Sequence, residues 1–177
     1  MGDQNHGLGA AREAAYRTVL DECRDVQRRR GRLSREEAMA FAIERLWRAF
    51  GGRPISWIGF YERTPGTEEM VLLAREPRPA CSPIGLHGMC GRSMLAARAM
   101  VVRDVKTLGE GYIACFPEDQ SEMVVPLIED GACVAVLDVD SHEREAFGVA
   151  DAQACSAVLE MLGLSRPDEK QREVVVL

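Results

Sequence analysis

The stretch 121-SEMVVPLIEDGACVAVLDVDS-141 decides how the chain folds. Two apolar, β-branched runs flank Glu129-Asp130-Gly131, a turn-forming sequence, and predict strands over 122–128 and 132–140. Two registers are open. A two-residue turn at Asp130-Gly131 pairs Glu129 with Ala132 and sets Glu122 opposite Val139, away from Asp138 and Asp140. A three-residue loop, Glu129-Asp130-Gly131, pairs Ile128 with Ala132 and sets Glu122 opposite Asp138. The second register gathers Met123, Val125 and Leu127 with Cys133, Ala135, Leu137 and Val139 on one apolar face, so it is the one predicted. Glu122, Asp138 and Asp140 then share the opposite face. Carboxylates so placed repel, and one pKa rises unless a cation sits between them. For Asp138 and Asp140 alone the plain alternative is a solvated strand end, and a D-x-D pair is weak evidence for a metal.

Upstream, 57-WIGFY-61 reads as another strand. Alternation puts Trp57, Gly59 and Tyr61 on one face and Ile58 and Phe60 on the other. The glycine leaves an aromatic-walled slot, to be filled by a neighbouring side chain or by a ligand. Further strands are predicted over 69–75 and 100–105. Helices are predicted over 10–30, from the Ser34/Glu37 capping box to Gly51, over 93–99 and over 151–163. The strands cluster between helices instead of alternating with them. That predicts an α+β domain with an antiparallel sheet. The expected organisation is a loose tail over 1–9, one domain over 10–164 and a charged tail over 165–177. The terminal VVVL is open to reading as an interface strand or as disorder.

The chain has 177 residues, 46% apolar and 28% charged, with a net charge of −6. This is a globular composition that argues against nucleic acid as a partner. No apolar run is long enough to span a bilayer, and the N-terminus lacks both a signal-peptide and a myristoylation pattern. A soluble cytoplasmic protein with mostly reduced cysteines is expected.

The six cysteines divide. Cys23, Cys133 and Cys155 fall among apolar residues and are expected as small buried hydrophobes. Cys81, Cys90 and Cys115 fall in Gly/Pro-containing loops. Zinc with His87 as fourth ligand is disfavoured, because Cys81 and Cys90 are nine apart without a C-x-x-C knuckle. No metal is expected. A thiol relay asks only that loops bring sulfurs together in turn.

Together, WIGFY at 57–61, PAC at 79–81, GMCG at 88–91, GYIAC at 111–115, SEMVVPL at 121–127 and GACVAVLDVDS at 131–141 resemble the GAF-domain free methionine-(R)-sulfoxide reductases. The resemblance implies a six-stranded antiparallel GAF sheet, with helices on one face and a ligand pocket on the other. It implies Cys115 as nucleophile, Cys81 as main resolving thiol and Cys90 as an auxiliary one. Trp57 and Tyr61 would wall the pocket at the S-methyl end. Glu122, Asp138 and Asp140 would hold the α-ammonium and supply a proton. No bound cofactor is implied, only thioredoxin or a similar external dithiol, and the flanking helices resemble those through which the family forms homodimers. The chain departs from the family pattern in a shorter Cys81–Cys90 segment, in His87 where an Arg-like residue is usual, and in Phe116 where an acid is usual. His87 is open to reading as a positive neighbour of a thiol or as a solvated loop residue.

A non-catalytic GAF module sensing a small ligand or redox state is the second reading. A sensor is expected to carry an output domain, and none is evident in this sequence. Loss of function on Cys115→Ser separates the two.

Overall fold

The computed structural model describes residues 9–112 and 115–177. Most of the expected N-terminal tail, and Ile113 and Ala114 of the GYIAC motif, lie outside them. Helix α1 (Ala10–Arg30) leads to α2 (Arg35–Phe50). The Ser34/Glu37 capping box is formed as the sequence predicts, with Glu37 N–H donating to Ser34 Oγ at 3.2 Å and Ser34 N–H to Glu37 Oε2 at 3.0 Å. Strands β1 (Trp57–Arg63), β2 (Glu69–Glu76) and β3 (Ile84–Gly85) precede a short helix, α3 (Met89–Ala96). Strand β4 (Ala99–Val102), a 3-10 segment over Val105–Gly111, β5 (Ser121–Glu129), β6 (Ala132–Ser141), α4 (Val149–Met161) and β7 (Val174–Val176) complete the order.

The strands line up as β3-β2-β1-β6-β5-β4-β7, with the helices α1, α2 and α4 on one side of the sheet. The sheet has seven strands where six were expected. The additional edge is β7, formed by the VVVL end, which runs parallel to β4. Its partner lies some seventy residues away in sequence, so local periodicity carried no sign of it.

The two faces differ sharply. Ile58 and Phe60 of β1, Met123, Val125 and Leu127 of β5, and Ala135, Leu137 and Val139 of β6 pack against α1, α2 and α4 in the main core. On the other face Trp57, Tyr61, Val124 and Val136 pack under α3 through Met89, Cys90 and Met94. Cys23 and Cys155 are buried in the main core as expected.

The β5–β6 register departs from the expected one. The turn is the two-residue Asp130-Gly131, with φ of 49° and 81°, so Glu129 pairs with Ala132. One bulge then corrects the phase. Ile128 pairs with Cys133 and Leu127 with Ala135, leaving Val134 as the extra residue. Beyond it Glu122 lies opposite Asp140 and Val124 opposite Asp138. All three acids therefore share a face as expected, by a different route. Cys133 does not: the bulge turns it from the core to the α3 side.

Cys90, expected in a loop, stands in the first turn of α3, which begins four residues earlier than predicted. The glycines that suggested a loop serve helix packing instead. A Cβ on Gly91 would sit 2.1 Å from the Leu86 carbonyl oxygen, so only glycine lets α3 lie this close to the preceding chain. Gly91→Ala is expected to cost about 1–3 kcal/mol of stability by overpacking. Urea unfolding checks this, and an unchanged midpoint would show that α3 shifts without cost.

Candidate functional site

β6 carries the site's charge. Asp138 pairs with Gly59 of β1, and Asp140 with Trp57 on one side and Glu122 of β5 on the other. Glu122, Asp138 and Asp140 are 5%, 8% and 6% exposed. Burial raises all three pKa values and is the first cause in each case. Their neighbouring carboxyls push Glu122 and Asp140 further up. Asp138 is pushed up to about 7, with a hydrogen bond from Cys90 as the main opposing influence. The Tyr112 side chain opposes the rise at Glu122, while Asp138 Oδ1 is buried with no hydrogen-bond partner among the described residues. A buried acceptor without a partner is costly, and a cationic donor arriving there would satisfy it.

These acids form the floor of a cavity of about 250 Å³. Tyr61 and Tyr112 stand at its sides, and Gly88, Met89 and Cys90 open α3 against it. Cys81 and Cys115 enter from two loops, and His87 lies on the rim. The N-cap of α3 is Gly88, which offers no side chain to the first amides of the helix. Helix-start N–H groups without a side-chain cap are able to bind an anion.

The thiols are unequal. Cys81 is exposed, Cys115 half-buried and Cys90 buried. Cys81 and Cys115 line the same cavity, and Cys81 is the neighbour that acts most strongly on the Cys115 thiol. Burial first, and then that neighbour, push Cys115 up to about 12. Cys90 is also raised, by burial and then by Asp138 and Glu122. The Tyr61 hydroxyl donates to the Cys81 carbonyl at 2.8 Å.

Trp57 is not where a pocket wall would be. It is 1% exposed and absent from the cavity lining. Its indole covers Gly59, where a Cβ would meet it at 2.3 Å. The slot anticipated between Trp57 and Tyr61 is thus filled by Trp57 itself.

Two residues escaped the sequence reading. Tyr112 lies within a quoted motif, but loop position gives no facing rule. Asp119 is 5% exposed, accepts from Ser56 Oγ at 3.4 Å and lies 3.8 Å from His142 Nε2. Burial pushes it up to about 6.

Cys90, Glu122 and Asp138 hold donor atoms within 4.8 Å of one another, a set able to take a cation, whether a metal or an ammonium. Cys81, Cys115 and His87 are not part of that set. Among the described residues, no helix is long and apolar enough to cross a membrane.

A GAF domain family model matches residues 32–163. A free methionine-R-sulfoxide reductase of Saccharomyces cerevisiae is 30% identical over 125 residues, 68% of this chain and 69% of the relative. The chain belongs to the GAF-domain free methionine-(R)-sulfoxide reductase family. GAF domain-containing protein A of Dictyostelium discoideum is 35% identical over 108 residues, 60% of this chain and 66% of that one. Overall the match spans about two thirds of the curated relatives' length, from 64% to 69%. A solved free methionine-R-sulfoxide reductase from Neisseria meningitidis, in complex with its substrate, superposes with a TM-score of 0.75 at 30% identity, covering 91% of this chain and 96% of that one.

The raised carboxyls have a consequence for stability. They hold protons to higher pH when folded than when unfolded. Folding is therefore favoured below the unfolded carboxylate range, near pH 4, and loses that contribution as pH rises toward about 7 for Asp138. Each such group contributes a slope of up to about 1.4 kcal/mol per pH unit in that window. Denaturation of wild type and Asp138→Asn across the window is expected to show a flatter slope in the variant.

Proposed function

We propose that this chain is an oxidoreductase that reduces free methionine-(R)-sulfoxide to methionine. One observation carries the reading: two loop cysteines, Cys81 and Cys115, and three buried acids line one cavity sized for an amino acid. The substrate's ammonium would meet the partnerless Asp138 Oδ1, with Glu122 and Asp140 around it. Its carboxylate would meet the first amides of α3, and its S-methyl end the aromatic side at Tyr61. A peptide-bound methionine lacks the ammonium, so the acids select the free amino acid.

A sulfoxide sulfur becomes electrophilic when its oxygen is protonated or strongly hydrogen-bonded. The acid cluster holds protons near neutrality and so supplies that donor. The Cys115 sulfur attacks, the substrate S–O bond breaks, and an S–O bond forms at Cys115. The thiol proton ends on the sulfenic oxygen, or replaces the one lent by the carboxyl. Sulfoxide and thiol thus become methionine and sulfenic acid with no net proton. The Cys81 sulfur then attacks Cys115, the S–O bond breaks and water leaves. A dithiol such as thioredoxin reduces the disulfide. Cys90 suits this second step poorly. It is 6% exposed and its thiolate is opposed by Asp138 and Glu122, so it belongs with the acid wall. A homodimer is part of the proposal, by the likeness of the flanking helices.

Purified protein with dithiothreitol or thioredoxin is expected to consume only the R epimer of free methionine sulfoxide. Cys115→Ser should abolish turnover. Cys81→Ala should release about one equivalent of methionine and then stall with thioredoxin. Asp138→Asn should raise KM more than it lowers kcat, with N-acetylated substrate poor for both proteins. Failure to consume either epimer with thiols confirmed reduced would sink this reading in favour of a ligand sensor.

A further inference from the structure

Cys81 and Cys115 sit on separate segments, the first between β2 and β3 and the second between the 3-10 segment and β5. Three contacts tie these loops together beside the thiols, and the chemistry above uses none of them. Arg78, three residues before Cys81, places its guanidinium 4.0 Å from the centroid of the Phe116 ring. Phe116 directly follows Cys115. The Trp57 indole N–H donates to the Arg78 carbonyl at 2.9 Å. The Trp57 ring also meets Phe116, centroid to centroid at 6.4 Å and tilted by 50°. Trp57 is therefore a fixed post on β1, buried and outside the cavity, against which both loops lean.

We propose that Arg78 and Phe116 are positioning residues that, against Trp57, clamp the Cys81 loop to the Cys115 loop and set the rate of disulfide closure. The proposal rests on the relay above for the order of events, but its geometry is separate from the substrate cavity. Closure joins Cys115–SOH and Cys81–SH: the S–S bond forms, the S–O bond breaks, and water leaves with the Cys81 proton. The sulfurs must meet at bonding distance, so a loop displaced by about 1 Å loses much of the rate. An exposed cation–π contact of about 0.5–1 kcal/mol corresponds to about two- to fivefold. The Phe116 ring makes both clamp contacts, so its loss should exceed that.

The test separates the two chemical steps. In a single turnover without reductant, methionine release reports attack at Cys115, and loss of a trappable sulfenic acid reports closure. The same closure is also started by hydrogen peroxide, which oxidises Cys115–SH to Cys115–SOH with release of water and needs no methionine sulfoxide. Phe116→Ala is expected to slow closure by about tenfold and Arg78→Gln by about threefold, with methionine release within about twofold of wild type. Arg78→Gln should have little further effect in the Phe116→Ala background, and Phe116→Tyr should restore closure. Closure unchanged in both variants, after either oxidant, overturns the clamp. So does equal slowing of release and closure, since that would mark the pair as shaping the cavity. Peroxide-started closure that obeys these expectations, in a protein that releases no methionine from the sulfoxide, supports the clamp while sinking the proposed substrate.

Discussion

A single extra residue in β6 decides which face of the sheet bears charge. Without the bulge at Val134, the tight Asp130-Gly131 turn would set Glu122 among Met123's core partners and leave the acids on opposite faces. With it, Met123, Val125 and Leu127 point into the helical core while Glu122 joins Asp138 and Asp140 beneath the cavity. Everything else at the site is arranged around those acids. Gly59 pairs with Asp138, α3 closes over them, and the cysteine loops approach from the open side.

Three carboxyls, each more than nine-tenths buried, oppose folding. The cost is tolerable because they need not all ionise, and because the opposite face of the same strands is packed without interruption against α1, α2 and α4. Another buried acid, Asp151, shows the contrast. It receives the Arg12 guanidinium at 2.7 Å, the Tyr16 hydroxyl at 3.0 Å and the Gly148 amide at 2.9 Å, and so ties α1 to α4. Asp138 Oδ1 has no such partner. An unsatisfied buried acid that lines a cavity is a candidate for pairing with a ligand's cation, as the proposed function requires.

The face assignments were legible because period-two alternation is local and burial enforces it. Trp57, Gly59 and Tyr61 lie on one face and Ile58 and Phe60 on the other, as read. For the hairpin the requirement of an apolar face proved a better guide than the turn. It found the right grouping of acids although the assumed turn was wrong, because a bulge changes phase without any mark in composition. The single false member of that grouping, Cys133, lies between the turn and the bulge. What could not be read depends on distant chain. Examples are the parallel pairing of β7, the folding of Trp57 over Gly59, and the helical place of Cys90, whose glycine neighbours look like loop residues until Leu86 is set against them.

The electrostatics divide the cavity into two walls with different tasks. On the acid wall, burial and mutual repulsion keep protons on the carboxyls. On the thiol wall, burial and the neighbouring sulfur keep Cys115 protonated at rest. A thiol so held attacks an unactivated oxidant such as peroxide slowly, though it still reacts. In the proposed reaction it becomes effective where a donor activates the electrophile and takes part in the proton's transfer, the role given to the acids of this cavity. In the proposed reaction, selectivity for a substrate that reaches both groups would follow from these resting protonation states. Cys81 is exposed, and in the proposed relay that leaves it open to an external dithiol.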